Sequence, residues 1–157
     1  MTVKRWLQLR GWYVIPSYDY SGEDGNKAPR MQGLSASLVI PDLDIAKGGT
    51  RRWAEVKVKA TALLWRKTGE YQHGIDRRQY EDYLRVEKIT GCHVWLFILE
   101  EDTQTILAES LDKLGEPRFG PQRGKGGMMN WSRERFSMKV AVASVPGLKD
   151  AQPTAPV

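Results

Sequence analysis

The sequence predicts an α/β domain with a mixed central β-sheet flanked by helices. Three observations carry that expectation. The patterning runs helix, strands, helix, strands along the chain, the order of a layered α/β unit. Gly48-Gly49 separates two β-branched runs, SASLVIPDLDIAK and TRRWAEVKVKA. Such a pair marks a hairpin, because a type I′ turn needs positive φ at both central residues. HVWLFILEE is apolar without a polar break and reads as a buried strand.

Taken in order, residues 2–10 suit a short helix with Trp6 and Leu9 on one face and Gly11 as its stop. WYVIP reads as a short buried strand. SYDYSGEDGNKAPRMQG (17–33) is rich in Gly, Asp, Ser and Pro and reads as a long loop. The hairpin follows, then an irregular stretch over 61–75. DRRQYEDYLRVEKITG reads as a helix capped by Asp76 and Gly91, with Tyr80, Tyr83, Leu84 and Ile89 on its apolar face. TQTILAESL is expected as a strand, 112–127 as a basic, Gly-rich loop, MMNW as a short strand and SRERFSM as a capped helix. One domain over 1–146 is expected, with a fraying Pro- and Ala-rich tail at 147–157.

The chain has 157 residues, 41% hydrophobic and 27% charged, which suits a single core. Its net charge of +5 and pI near 9.4 suit a polyanionic partner, nucleic acid being the commonest. No run of eighteen apolar residues occurs, so no membrane span is expected. The opening MTVKRWLQLRGW lacks the apolar stretch of a secretory signal. Cys92 stands alone and forms no internal disulfide. A cytoplasmic, intracellular location is the expectation.

The hairpin also concentrates chemistry. With a two-residue turn, Lys47 pairs with Thr50 and Asp42 falls opposite Glu55, about 4.5–5.5 Å away at Cβ. Alternation then places Asp42, Asp44, Glu55 and Lys57 on one face. Val39, Leu43, Ile45, Ala54, Val56 and Val58 fall on the other, the expected core face. Three carboxylates on one face repel unless a cation offsets them. Mg²⁺ or Mn²⁺ suits two carboxylates, a backbone carbonyl such as that of Val56, and a phosphate. Lys57 is then placed to orient an attacking water or to stabilise charge on the phosphoryl group. A solvated strand face carries charges at the same spacing. Against it, aspartate is disfavoured inside an apolar strand, and Pro41 marks a strand edge or bulge beside Asp42.

Pro41-Asp42 followed by Glu55-Val56-Lys57 on the next strand resembles the motif of the PD-(D/E)xK nucleases, the restriction-endonuclease-like superfamily. Gln79 and Tyr83 resemble the Gln-x-x-x-Tyr that follows the catalytic lysine in RecB-type members, where it shapes the site. HGIDRRQYEDYLRVEKITGCHVWLFILEED is similar to segments of small phage or prophage nucleases, and Holliday-junction-resolvase-like members share the element order. The resemblance implies a restriction-endonuclease-like core and a Mg²⁺- or Mn²⁺-dependent deoxyribonuclease acting on DNA. Asp42, Glu55 and the Val56 carbonyl would be metal ligands, and Lys57 would assist the attacking water. Because double-strand cutting by such a core takes two sites, it also allows a homodimer. One departure stands out: no acidic residue precedes Asp19. Either the acid that many members carry on the first helix is absent, or the native protein extends further upstream, or this member uses one metal with fewer ligands. Glu23 and Asp24 lie in the loop beyond. Asp42 and Asp44 both remain candidate ligands. A catalytically inactive nucleic-acid-binding or assembly domain of the same fold is the alternative.

Further candidates surround this motif. Asp44, Gln79, Tyr83 and His73 are read as supporting residues. Lys59, Trp65, Arg66, Arg77 and Arg78 are read as nucleic-acid contacts, Trp65 by stacking on a base. Arg51, Arg52, Lys67, Arg118, Arg123 and Lys125 are further basic candidates. RGKGG lacks the spacer and hydroxyl residue of a phosphate-binding P-loop.

Overall fold

The computed structural model describes residues 2–16, 29–122 and 125–148. Its elements are α1 (Thr2–Leu9), β1 (Tyr13–Pro16), β2 (Arg30–Gln32), β3 (Ser37–Val39), β4 (Leu43–Lys47), β5 (Thr50–Lys59), β6 (Leu63–Trp65), β7 (Glu70–Asp76), α2 (Arg77–Thr90), β8 (Val94–Glu100), β9 (Thr105–Ser110), α3 (Leu111–Leu114), β10 (Arg118–Gln122), β11 (Lys125–Ser132) and β12 (Met138–Ala141). Single 3₁₀ turns occupy Arg133–Arg135 and Val142–Ser144.

The register of the hairpin follows from its turn. Gly48 and Gly49 have φ of 54° and 79°, left-handed conformations that glycine adopts without strain. Lys47 therefore pairs with Thr50, and the ladder runs on to Leu43 opposite Ala54. There it ends, next to Pro41, which has no N–H to contribute. The expected strand over 35–47 is thus two strands. β3 pairs with β2 in a separate ribbon, and β4 starts after the Pro41-Asp42 break.

Six strands form the central sheet in the order β1-β4-β5-β8-β9-β12. β5 and β8 are parallel and the other neighbours antiparallel, so the sheet is mixed, as predicted. One face packs Leu43, Ile45, Ala54 and Phe97 against Val3, Trp6 and Leu7 of α1. The opposite face packs Trp53, Leu96 and Ile98 with Tyr83 and Val86 of α2 and with Ile75 and Trp131. β8 lies in the middle with both faces covered, which is why its sequence shows no alternation.

Both caps of α2 are as expected. The Asp76 side chain accepts from the Arg78 N–H, and Gly91 closes the helix at φ 68°. Its buried stripe differs from the expectation. Tyr83 and Val86 are buried, whereas Leu84 and Ile89 are 42% and 64% exposed. A 3.6-residue period through Tyr83 passes near 79–80, 86–87 and 90 and leaves 84 and 89 to one side. Other expectations also need correction. β1 is not buried but an edge strand with Tyr13 and Ile15 exposed, since it pairs only with β4. Leu9 is exposed, the α1 face being Val3, Trp6 and Leu7. Val58 is exposed near the end of β5, and Val39 packs in the α2-side cluster rather than with Leu43. SRERFSM forms one 3₁₀ turn leading to β12, although Ser132 does cap it.

The largest correction is a second, four-stranded sheet in the order β10-β11-β7-β6. It takes up most of 61–75 and 118–127, expected as irregular stretch and loop, and it contains the expected MMNW strand within Lys125–Ser132. Its glycines are packing positions. A Cβ at Gly74 would lie 2.2 Å from Asn130 Oδ1, and one at Gly127 2.3 Å from the Phe119 ring. Glycine inside a strand marks this kind of close approach. Residues 17–28, with Glu23 and Asp24, and 149–157 lie outside the described residues, as does Arg123.

Candidate active site

Three side chains meet where the hairpin ladder ends. Asp42 is released from strand pairing by Pro41 and turns toward β5. Its N–H donates to Glu55 Oε2 at 3.3 Å, and its Oδ2 accepts from the Val56 N–H at 3.0 Å. Asp42 therefore does lie across from Glu55, as the turn register predicts. Lys57 Nζ lies 2.6 Å from Glu55 Oε1. Tyr83, buried on α2, also hydrogen-bonds the Glu55 carboxyl. The Val56 N–H reaches Asp42, on the side of β5 away from β8. The N–H and C=O of one strand residue project to the same side, so the Val56 carbonyl faces the same space.

Glu55 is 2% exposed. Burial pushes its carboxyl up from the ordinary value and Asp42 adds to the push, while Lys57 and the Tyr83 hydroxyl pull it down; the net direction is up. A second cation beside Glu55 and Asp42 would relieve this strain on the ionised form. Two adjacent carboxylates and a carbonyl on one side match the oxygen-donor set that Mg²⁺ or Mn²⁺ takes when water and phosphate complete its shell. Among the described residues no group of three His, Cys, Asp or Glu side chains converges as a metal site. α1 carries no acidic residue, so among the described residues the oxygen donors that meet here are this pair and the carbonyl.

The remaining candidates divide. Asp44 is held by Arg51, whose Nε lies 2.9 Å from Oδ1 and whose Nη2 also bonds it. It sits one pair back in the ladder, opposite Trp53, and its carboxylate is bonded to Arg51 rather than joined to the Asp42–Glu55–Lys57 group. His73 is a correction: it lies in β7, not in a loop, and its Nε2 is 2.7 Å from Glu100 Oε2 in a buried cluster apart from Glu55. Gln79 is half-buried one turn before Tyr83. Lys59 continues the row of Glu55 and Lys57; burial and then Lys57 push its ammonium down. Trp65 is in β6 rather than a loop, with Arg118 over its ring at 5.8 Å. Arg66 and Arg78 are exposed, and Arg77 pairs with Glu81 at 2.9 Å. Sequence reasoning missed Arg133, which binds Glu100 through Nε and Nη2, and Gln72 and Asn130 of the second sheet. No local spacing signals either group.

No protein-family model and no curated protein sequence matches the chain. Solved structures do. The chain is similar to Hjc, a Holliday junction resolvase from the archaeal hyperthermophile Archaeoglobus fulgidus, with a TM-score of 0.54 and 12% identity. The match covers 90% of this chain and 91% of that one. The chain has the restriction-endonuclease-like fold.

Proposed function

We propose that this protein is a divalent-cation-dependent nuclease that hydrolyses DNA phosphodiester bonds. The observation that carries the reading is the meeting of Asp42, Glu55 and Lys57 at the end of one hairpin. Asp42, Glu55 and the Val56 carbonyl would hold Mg²⁺ or Mn²⁺, which when bound stabilises charge on the phosphoryl oxygens. Asp42 is fixed for this task by the Val56 N–H, and Glu55 by Lys57 and Tyr83. Lys57 supplies an ammonium donor at the site. Released from Glu55, its ammonium can orient the attacking water or stabilise the negative charge that develops as water adds. Tyr83 excludes water from behind Glu55. Asp44 acts through Arg51 as a brace of the hairpin, and Gln79 borders the site from α2. Lys59, Trp65, Arg66, Arg77 and Arg78 would contact DNA, and a homodimer would bring two sites to a duplex. No helix among the described residues is long and apolar enough to cross a membrane, which suits a chain working on DNA in the cytoplasm.

The purified chain is expected to cut plasmid and oligonucleotide DNA with Mn²⁺ or Mg²⁺, and to stop when a chelator removes the cation. Cutting that persists in chelator would contradict the reading. The lack of an acid on α1 favours a second reading, a DNA-binding domain of this fold without catalysis. Binding of DNA with no cutting under any divalent cation would select it.

A further inference from the structure

Asp42 lies in no strand ladder, so its distance from Glu55 is set by other contacts. Three residues upstream, the Val39 N–H donates to Asp82 Oδ2 of α2 at 2.9 Å. Val39 ends β3, and the β2–β3 ribbon is not hydrogen-bonded to the central sheet. Leu38 packs the ribbon against the α2-side core, but apolar contact is non-directional and does not fix where β3 sits along the helix. A hydrogen bond does, and one to a carboxylate is roughly twice as strong as a neutral one. Asp82 makes no ion pair among the described residues, so its carboxylate is committed to that N–H. Only Ile40 and the buried Pro41 separate Val39 from Asp42. The Ile40 N–H is held by the Pro29 carbonyl at 3.1 Å, and the proline ring fixes one of the two dihedrals at 41. A shift of Val39 therefore passes to Asp42 with little slack. The next residue of α2, Tyr83, bonds the Glu55 carboxyl. Adjacent positions of one helix thus hold the two carboxylates, Asp82 by way of Val39 and Tyr83 directly.

We propose that Asp82 is a positioning residue for the candidate cation site: through the Val39 N–H it holds Asp42 at the spacing from Glu55 that lets the two carboxylates share one cation. It touches neither the cation nor the DNA. Bonds of this supporting kind orient a ligand, and their loss costs roughly 10–100-fold in metal affinity. The shared cation rests on the nuclease reading above, whereas the tie from Asp82 to Asp42 needs neither cation nor cutting.

Amide hydrogen exchange by NMR in chelator, and Mn²⁺ titration by calorimetry, test it on the full chain. The Val56 N–H is bonded to Asp42 Oδ2, so its exchange reports whether Asp42 is in place. In Asp82→Ala this amide is expected to exchange about tenfold faster than in the wild type, with the buried β8 amide of Ile98 unchanged. Mn²⁺ should bind Asp82→Ala about tenfold more weakly. Asp82→Asn keeps an acceptor oxygen and should stay close to the wild type in both measurements. An acid that only anchored the ribbon could be removed without moving Val56 exchange or Mn²⁺ affinity. That result, or a loss in Asp82→Asn as large as in Asp82→Ala, overturns the proposal. If Asp82→Ala does not fold, the wild type decides: the Val39 and Val56 amides should share one opening step as urea is raised, and separate steps overturn the tie. Faster Val56 exchange in Asp82→Ala with no Mn²⁺ binding by the wild type would sink the cation site and keep the tie; Mn²⁺ binding with Val56 exchange unmoved would do the reverse.

Discussion

Lys57→Ala is expected to lower Mn²⁺-dependent DNA cutting by a factor on the order of 10²–10³, the usual cost of removing one donor aimed at developing charge. Lys57 is three-quarters buried and its Nζ sits 2.6 Å from Glu55 Oε1. Its loss acts twice. The reaction loses a cationic donor beside the phosphoryl group, and Glu55 loses the charge that counters its burial. Lys57→Arg keeps the charge but replaces a compact ammonium with a planar fork, so partial recovery is expected. Initial cutting rates on one labelled duplex, with thermal melts to confirm folding, measure both variants. Undiminished cutting by Lys57→Ala would contradict the assigned role.

Arg133→Met is expected to destabilise the fold by about 3 kcal/mol, because it leaves a buried carboxylate without its main cationic partner. Glu100 is 1% exposed. It receives Arg133 Nε and Nη2 at 2.7–3.1 Å, His73 at 2.7 Å and Thr103 Oγ1 at 3.0 Å. Burial pushes this carboxyl up, but the hydrogen bonds from Arg133, His73 and Thr103 outweigh it and hold it at about 2. A depressed folded value means the contribution is complete above the ordinary 4.5 and is lost as pH falls toward 2. His73 adds acid sensitivity of its own. Burial lowers its pKa despite Glu100, so its contribution declines as pH falls below the ordinary 6.5. Urea unfolding at neutral pH should show the full loss in Arg133→Met, and the gap from wild type should narrow below pH 4.5. An unchanged midpoint at neutral pH would contradict this account of the cluster.

What the sequence discloses here depends on how local each signal is. The Gly48-Gly49 turn fixes a register by itself, and that register places Asp42 opposite Glu55 without knowledge of the rest of the fold. Asp76 and Gly91 bound α2 for the same reason: capping is chemistry between near neighbours. The pairing of Asp44 with Arg51 was available too, since the same register puts Arg51 on its diagonal; it removes Asp44 from the Glu55 contacts. By contrast, β6, β7, β10 and β11 hide behind glycines that look like loop residues. Gly74 and Gly127 are there because Asn130 and Phe119 press against their backbones; Asn130 is far from Gly74 in sequence, and Phe119 meets Gly127 only once β10 and β11 pair. Glu100 and Arg133 are 33 residues apart, so no periodicity joins them.

Mn²⁺ titration by calorimetry, with the wild-type chain, Asp42→Asn and Glu55→Gln side by side, tests the central claim most directly. Saturable binding by the wild type, weakened about tenfold or more in each variant, is the expected result. No binding by the wild type, or equal binding by all three, would show that Asp42 and Glu55 do not form a cation site.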